Sequence, residues 1–317
     1  MTRQWIRQCN LAVGGGSATD FSELRIRFEV RQATTQAPGH ANITITNPAK
    51  ATANRIKEYD HVVLQAGYPG SLATIFEGEV VQKRYGRENP TDTYLHLLAK
   101  EGSKAYSYAV MSKTLAKGHT FRDQVNACLE ALAPYGITAG YIADLGSVKM
   151  PRGRALFGMV REQLRAICQS TGTWWRITGT KLEIIKPEEG RPGSVVVLNS
   201  RTGLIGMPAQ TFNGIEARCL LNPQIKPGTL VKIDEASIQR QTISPNYSAG
   251  ATNNLIPSID ADGIYQVYEV IHHGDTRGTD WYSDITAISK VGPTPNKFIM
   301  MGPSLPPEMA ARIPKGN

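Results

Sequence analysis

The sequence predicts a mainly β chain in which two similar β-domains flank a small α/β unit. Three observations predict this fold class. Residues 24–31 alternate strictly between apolar and charged side chains, which is the period of a half-buried strand. Residues 121–132 repeat their apolar side chains at helical spacing instead. A strand that stops at an Asn-Pro pair occurs twice, at 43–48 and at 218–223.

The first β-domain is expected to span residues 1–100. Residues 5–13 and 24–30 are predicted to form a hairpin across Gly14-Gly15-Gly16, because consecutive glycines favour a turn. Further strands are predicted at Ala41–Thr46, His61–Ala66, Ala73–Lys83 and Thr93–Ala99.

The α/β unit is expected to span residues 101–188. Thr120 is a suitable N-cap with Asp123 in the first turn, and the helix should end at Pro134-Tyr135-Gly136. A second helix is predicted from Leu156 to Cys168, followed by a hairpin over 173–185. The long connection between the two helices disfavours a DNA-binding helix-turn-helix, although Arg154, Arg161 and Arg165 are predicted on one helix side.

The second β-domain is expected to span residues 189–291 and to repeat the first. Residues 75–80 resemble 264–270, and 91–94 resemble 279–282, in the same order after the Asn-Pro strand. The second copy is longer by a Ser-, Asn- and Gly-rich stretch at 237–262, which predicts a long loop. Residues 292–317 are rich in proline and predict an extended C-terminal arm.

The duplication suggests a way to assemble. A chain with two similar domains can mimic two subunits, so three chains in a ring would present six similar edges. Such a ring could join a three-fold object to a six-fold one.

Composition excludes several classes of protein. The net charge of +8 permits contact with a polyanion, but the basic residues are scattered rather than blocked. Four widely spaced cysteines predict free thiols. No apolar run approaches the length of a membrane span, and polar residues such as Arg3 and Arg7 interrupt the N-terminus, so Sec export is not predicted.

No catalytic, cofactor-binding or metal-binding site is predicted. The chain has no G-x-S-x-G elbow and no phosphate-binding loop. His272 and His273 are adjacent on a predicted strand, so they should point to opposite faces and cannot easily share one metal ion.

Three segments of the second β-domain resemble the baseplate hub proteins of contractile-tailed bacteriophages, which are related to the N-terminal part of type VI secretion spike proteins. They are Thr202–Pro208, Leu220–Gly228 and His273–Gly278 before Trp281. The resemblance implies two tube-type β-barrel domains per chain and a homotrimer that forms a pseudo-hexameric ring. It also implies a tail tube protein and a central spike protein as partners, together with other baseplate proteins.

Eight residues are candidates for contacts between chains. Trp174 and Trp175 lie on one strand, so one should face outward, and Trp175 is assigned that role. The C-terminal arm is apolar as well as extended, which favours docking on a neighbouring chain or on the spike. The full set of candidates is Trp175, Arg277, Trp281, Phe298, Ile299, Met300, Met301 and Leu305.

The function expected from the sequence is therefore that of a structural hub, without catalysis, in the tail baseplate of a virion assembled in the host cytoplasm. Contact with DNA would be restricted to its passage through the lumen of the ring. One alternative is another tail-tube or tail-tip structural protein. A cell-wall-binding or glycan-degrading tail protein is the other, but no pair of converging carboxylates or activated nucleophile can be assembled from the sequence.

Overall fold

The computed structural model describes residues 6–15, 18–187, 189–193, 195–211, 214–233 and 263–289. The chain is mainly β, and thirteen of its strands form one curled, half-barrel sheet. An inserted unit between the two halves of this sheet holds the remaining strands and the longest helices. No helix among the described residues is both long and apolar enough to cross a membrane.

The first half of the sheet is built from seven strands and one short helix. Apolar side chains alternate along these strands and enclose one core, so the sheet curls around its own buried face. The elements are β1 (Gln8–Val13), β2 (Thr19–Asp20), β3 (Ile26–Ala33), β4 (His40–Thr46), α1 (Lys50–Arg55), β5 (His61–Gly67), β6 (Ala73–Arg87) and β7 (Thr93–Lys100).

The second half of the sheet is built from six strands around a second core. The strands are β13 (Val196–Leu198), β14 (Leu204–Thr211), β15 (Gly214–Leu220), β16 (Leu230–Ile233), β17 (Ile264–Asp275) and β18 (Trp281–Ser289).

The two halves have the same strand order. The first half runs β3-β4-β7-β6-β5-β1, and the second half runs β14-β15-β18-β17-β16-β13. Each half also has a one-residue register shift at the matching place, between Val80 and Gln82 on β6 and between Val267 and Glu269 on β17. One pairing differs, because β1 is antiparallel to β5 whereas β13 is parallel to β16.

The two halves join through β3 and β17. Antiparallel pairing places Glu269 opposite Ala33 and Asp275 opposite Arg27, so the sheet continues from one half into the other. Gly274 lies opposite Phe28, whose ring occupies the space where a β-carbon on residue 274 would lie. Trp281 packs its ring edge-on against Phe28 at 5.6 Å between centroids, and therefore contributes to the first core.

The inserted unit packs three α-helices against two small sheets. The helix α3 begins with the predicted N-cap Thr120, which forms a capping box with Asp123. The Thr120 hydroxyl accepts from the Asp123 backbone N–H, and the Asp123 side chain accepts from the Thr120 backbone N–H. The predicted 173–185 hairpin is also confirmed as an antiparallel pair. The elements are α2 (Ser103–Tyr108), β8 (Val110–Leu115), α3 (Phe121–Leu132), β9 (Thr138–Ile142), β10 (Arg154–Met159), α4 (Val160–Thr171), β11 (Trp174–Thr178) and β12 (Lys181–Ile185).

Two predicted local structures are wrong. The second helix begins at Val160 rather than Leu156, because residues 154–159 pair with β8 and Gly158 has a left-handed φ of 103°. The predicted N-terminal hairpin with β3 is also absent. The strand β1 pairs with β2 and β5 instead, which aligns Leu11 with the buried Leu64.

Candidate assembly surfaces

Two predicted contact residues, Arg277 and Trp281, line one cleft of about 410 Å³ together with Arg7. The cleft lies between β1 and the turn that connects β17 to β18. The other residues that line the cleft are uncharged, so no carboxylate faces the two arginines. The cleft therefore presents positive charge beside an aromatic ring.

A network centred on Asp275 fixes the shape of this turn. Arg25 donates to both oxygens of the Asp275 carboxylate, at 3.1 and 2.6 Å, and the Arg277 backbone N–H donates to it at 3.0 Å. The hydrogen bond from Arg25 lowers the pKa of Asp275 below its ordinary value. Arg7 donates to the carbonyl oxygens of Gly278 and Thr279 at 2.6 and 2.9 Å, which closes the turn from the other side.

The structure corrects the role of Trp281. Its side chain is only 3% exposed and packs in the core, so it forms a wall of the cleft and not a protruding anchor. Arg277 differs, because its side chain is exposed. The one hydrogen bond that its guanidinium donates in the described chain is a long one, 3.4 Å, to the Glu23 carbonyl. Arg277 is therefore the cation that this cleft presents to an incoming acceptor.

Trp175 was assigned to the outer face, and this assignment is wrong. Trp175 is 2% exposed and stacks on Tyr106 at 6.2 Å between centroids, inside the core of the inserted unit. Trp174 is the outward residue of the pair, and its ring meets Tyr268 edge-on at 6.2 Å. Alternation along the strand predicted two faces, but it could not predict which face the helices α3 and α4 would cover.

A buried polar cluster lies where the inserted unit meets both halves of the sheet, and no sequence pattern predicted it. Arg176 donates to Glu183 at 3.1 Å, and Arg191 also pairs with Glu183. Gln32 on β3 donates to Glu101 at 2.6 Å. Burial raises the pKa of Glu101 to about 7, since the charge of a carboxylate is poorly solvated there.

The adjacent histidines point to opposite faces of the sheet, as predicted. His272 is buried with its Nδ1 2.7 Å from the Ser283 hydroxyl, and burial lowers its pKa to about 3. His273 is partly exposed and lies against Tyr282 on the other face. Within the described ranges, no three acidic, histidine or cysteine side chains converge in a way that could hold a metal ion.

The three arginines that were predicted on one helix side, Arg154, Arg161 and Arg165, bond within the chain. Arg161 donates to the Tyr106 carbonyl at 2.9 Å, and Arg165 donates to Gln36 at 2.8 Å. Arg154 is on β10 and not on the helix, which corrects the predicted arginine face, and it donates to Gln124 at 3.0 Å. These bonds favour structural roles for the three side chains.

The strand β14 forms one edge of the sheet within the described chain. Ile205 and Met207 on this strand are 41% and 68% exposed, and both line a groove of about 470 Å³. A sheet edge with exposed apolar side chains is a place where another chain can add a strand. Five candidates from the C-terminal arm lie outside the described residues, namely Phe298, Ile299, Met300, Met301 and Leu305.

Solved structures share this fold. The 43 kDa tail protein of prophage MuSo2 from Shewanella oneidensis is 11% identical, with a TM-score of 0.59 over 90% of this chain and 99% of the other. A tail protein from Neisseria meningitidis MC58 is 9% identical, with a TM-score of 0.57 over 90% of this chain and 97% of the other.

A third similar structure is a type VI secretion component from Escherichia coli, described as structurally similar to the T4 bacteriophage tail proteins gp27 and gp5. It is 13% identical, with a TM-score of 0.57 over 88% of this chain and 76% of that one. No protein-family model and no curated protein sequence matches the chain. The chain therefore has the fold of phage tail proteins and of a type VI secretion component related to them.

Proposed function

We propose that this chain is a structural baseplate hub of a contractile phage tail, and that three copies form a pseudo-hexameric ring between the tail tube and the central spike. The observation that carries the proposal is the repeated strand order within one continuous sheet. That repeat supports two tube-type domains per chain. The shared fold of phage tail proteins supports the same role.

The joint inside the chain predicts the joint between chains. The first part of β17 pairs with β16, and residues 269–275 then pair with β3. The matching strand β6 pairs with β5 through residues 73–79, but residues 82–87 pair in the described chain with β7 alone. Since β14 matches β3, the pseudo-symmetry assigns β14 of one chain to residues 82–87 of the next.

The register of this contact follows from the matched positions. The register shifts make Arg84 equivalent to Ile271, and the pairings within each half make Thr211 equivalent to Arg31. Ile271 lies opposite Arg31 within the chain. Arg84 of one chain should therefore lie opposite Thr211 of its neighbour.

A cysteine pair tests the ring and its register together. Opposed residues of an antiparallel pair are close enough for a disulfide, so Arg84→Cys with Thr211→Cys should form covalent trimers on mild oxidation. Arg84→Cys with Glu216→Cys is the matched control, because Glu216 lies on the next strand, and it should remain uncross-linked. A monomeric mass in solution, or equal cross-linking in both variants, would contradict the ring.

The C-terminal arm is proposed to dock on a neighbouring chain or on the spike through Phe298–Met301 and Leu305. Removal of residues 292–317 should weaken trimers or spike binding, measured by solution mass and by co-purification with spike protein. Unchanged behaviour in both assays would remove this part of the proposal. The other proposed partners are the tail tube protein and further baseplate proteins, in a virion assembled in the host cytoplasm.

We propose no catalytic role for the chain. The cysteine thiols support this, because burial raises the pKa of Cys9, Cys128 and Cys219 to about 12 and leaves them protonated. A turbidity assay on purified peptidoglycan tests the alternative of a glycan-degrading tail protein. Clearing of the suspension would overturn the purely structural role.

A further inference from the structure

The strands β8 and β10 form a two-stranded ribbon with one buried and one exposed face. Met111 and Leu156 point inward and pack in the core of the inserted unit. The outer face carries Phe157 and Val110, which are 78% and 63% exposed, with Met159 opposite Val110. Phe157 is the most exposed large apolar side chain in the described chain.

An exposed aromatic beside other apolar side chains marks a surface that another molecule covers. The ribbon pairs with no further strand in the described chain, so it does not continue into the large sheet or into the three-stranded one. Patches of this kind on soluble proteins commonly serve as contact sites.

The charges around the ribbon restrict what can cover it. Residues 109–122 and 145–161 contain no Asp or Glu. Lys117, Lys149 and Arg152 are exposed at the far end of the ribbon, where Gly118 donates to the Met150 carbonyl. None of the three cations takes part in an ion pair of the described chain. Uncompensated positive charge therefore lies at one end of the ribbon, beyond the apolar face.

We propose that the β8–β10 ribbon is a docking site for an acidic segment of another protein, with apolar side chains that cover Phe157 and Val110. A two-fold pairing of this ribbon with its own copy is disfavoured, because it would place like charges together. The proposal rests on the hub function for its setting, since the partner is expected among the proteins of the same tail. It adds a contact at the inserted unit, away from both edges of the large sheet.

Photo-cross-linking in assembled tails tests the site. Benzoylphenylalanine at position 157 of the full chain should cross-link to another tail protein, in a segment where acidic residues outnumber basic ones. The same group at Tyr85, which is 38% exposed on β6, is the control and should give a different product. Charge reversal by Lys117→Glu with Arg152→Glu should lower the position-157 yield several-fold and leave the position-85 yield unchanged.

Each other outcome overturns the proposal. Absence of a cross-link at position 157, a product with a second copy of this chain, or a neutral or basic target would each do so, provided that the chain is present in the tails. Absence of the chain from tails would instead contradict the hub function. A separate experiment uses phosphatidylserine vesicles. Co-sedimentation of the full chain with these vesicles that depends on Phe157 would overturn the protein partner in favour of a membrane surface.

Discussion

Single buried polar residues hold together parts of the chain that are distant in sequence. Asp275 is the clearest case, because one carboxylate binds the Arg25 side chain and the backbone of the β17–β18 turn. Glu101 is a second case, buried where three parts of the molecule meet. Both are polar side chains whose neighbours are far away in the sequence, so their importance depends on the fold.

Replacement of Asp275 should destabilise the protein. Asp275→Asn is expected to lower the free energy of unfolding by about 1.5–3 kcal/mol, the range for hydrogen bonds to charged groups. The pKa of Asp275 is lowered in the fold, so its contribution is present above the ordinary carboxyl pKa and is lost as the pH falls through the folded value. Urea unfolding at pH 7 measures the effect. Asp280→Asn, an exposed residue of the same turn, should have little effect.

Glu101 predicts the opposite dependence on pH. Because its pKa is raised to about 7, its contribution is most favourable below the unfolded pKa and is lost as the pH rises toward and through 7. Glu101→Gln keeps a hydrogen-bond acceptor without the charge, so stability should differ less between pH 5 and pH 8 than in the unaltered chain. Urea midpoints at both pH values measure this. The exposed Glu58→Gln is the control and should leave the difference in stability between pH 5 and pH 8 unchanged. The same unchanged difference in Glu101→Gln would contradict the prediction.

At the scale of elements, the sequence predicts the end of a helix best where a side chain bonds to the backbone of that same helix. The α3 N-cap was predicted from Thr120 and Asp123 because the two residues lie within four positions of each other. The start of α4 was not evident, since residues 154–159 satisfy a helical pattern equally well and only the pairing with β8 makes them a strand.

Loss of the α3 cap should weaken the inserted unit. Thr120→Ala removes the acceptor for the Asp123 backbone N–H and should cost about 1 kcal/mol of stability. Thermal unfolding followed by circular dichroism measures the change. Thr114→Ala, on the exposed face of β8, serves as the control and should lie within about 0.5 kcal/mol of the unaltered protein. Equal losses in both variants would show that the cap contributes nothing specific.

At the scale of the whole molecule, the joint between β3 and β17 makes one sheet from two repeated halves. At this joint Gly274 faces the Phe28 ring, and a β-carbon on residue 274 would lie 2.2 Å from the ring. The same strands supply the pseudo-symmetry from which the ring contact is derived. The β3–β17 pairing within the chain and the proposed pairing between chains therefore have the same strand arrangement.

A side chain at position 274 should force the halves apart. Gly274→Ala is expected to cost about 1–3 kcal/mol through overpacking against Phe28. Calorimetry measures the loss and shows whether the halves still unfold together. Gly15→Ala is the control, because the nearest atom to its added methyl is 3.7 Å away and the substitution should be nearly neutral. Full stability of Gly274→Ala would contradict the tight joint.

The sequence by itself determined the mainly β class, the inserted α/β unit, the α3 cap and the strand repeat, because periodicity and capping are local properties. Tertiary structure alone decided that β1 pairs with β5, that β3 meets β17, and that Trp175 rather than Trp174 faces the core. The physical reason is that a period of two reveals two faces of a strand but names neither its partner nor its buried side. The buried polar cluster around Glu101 was also decided by the tertiary structure alone, since its members come from separate parts of the chain.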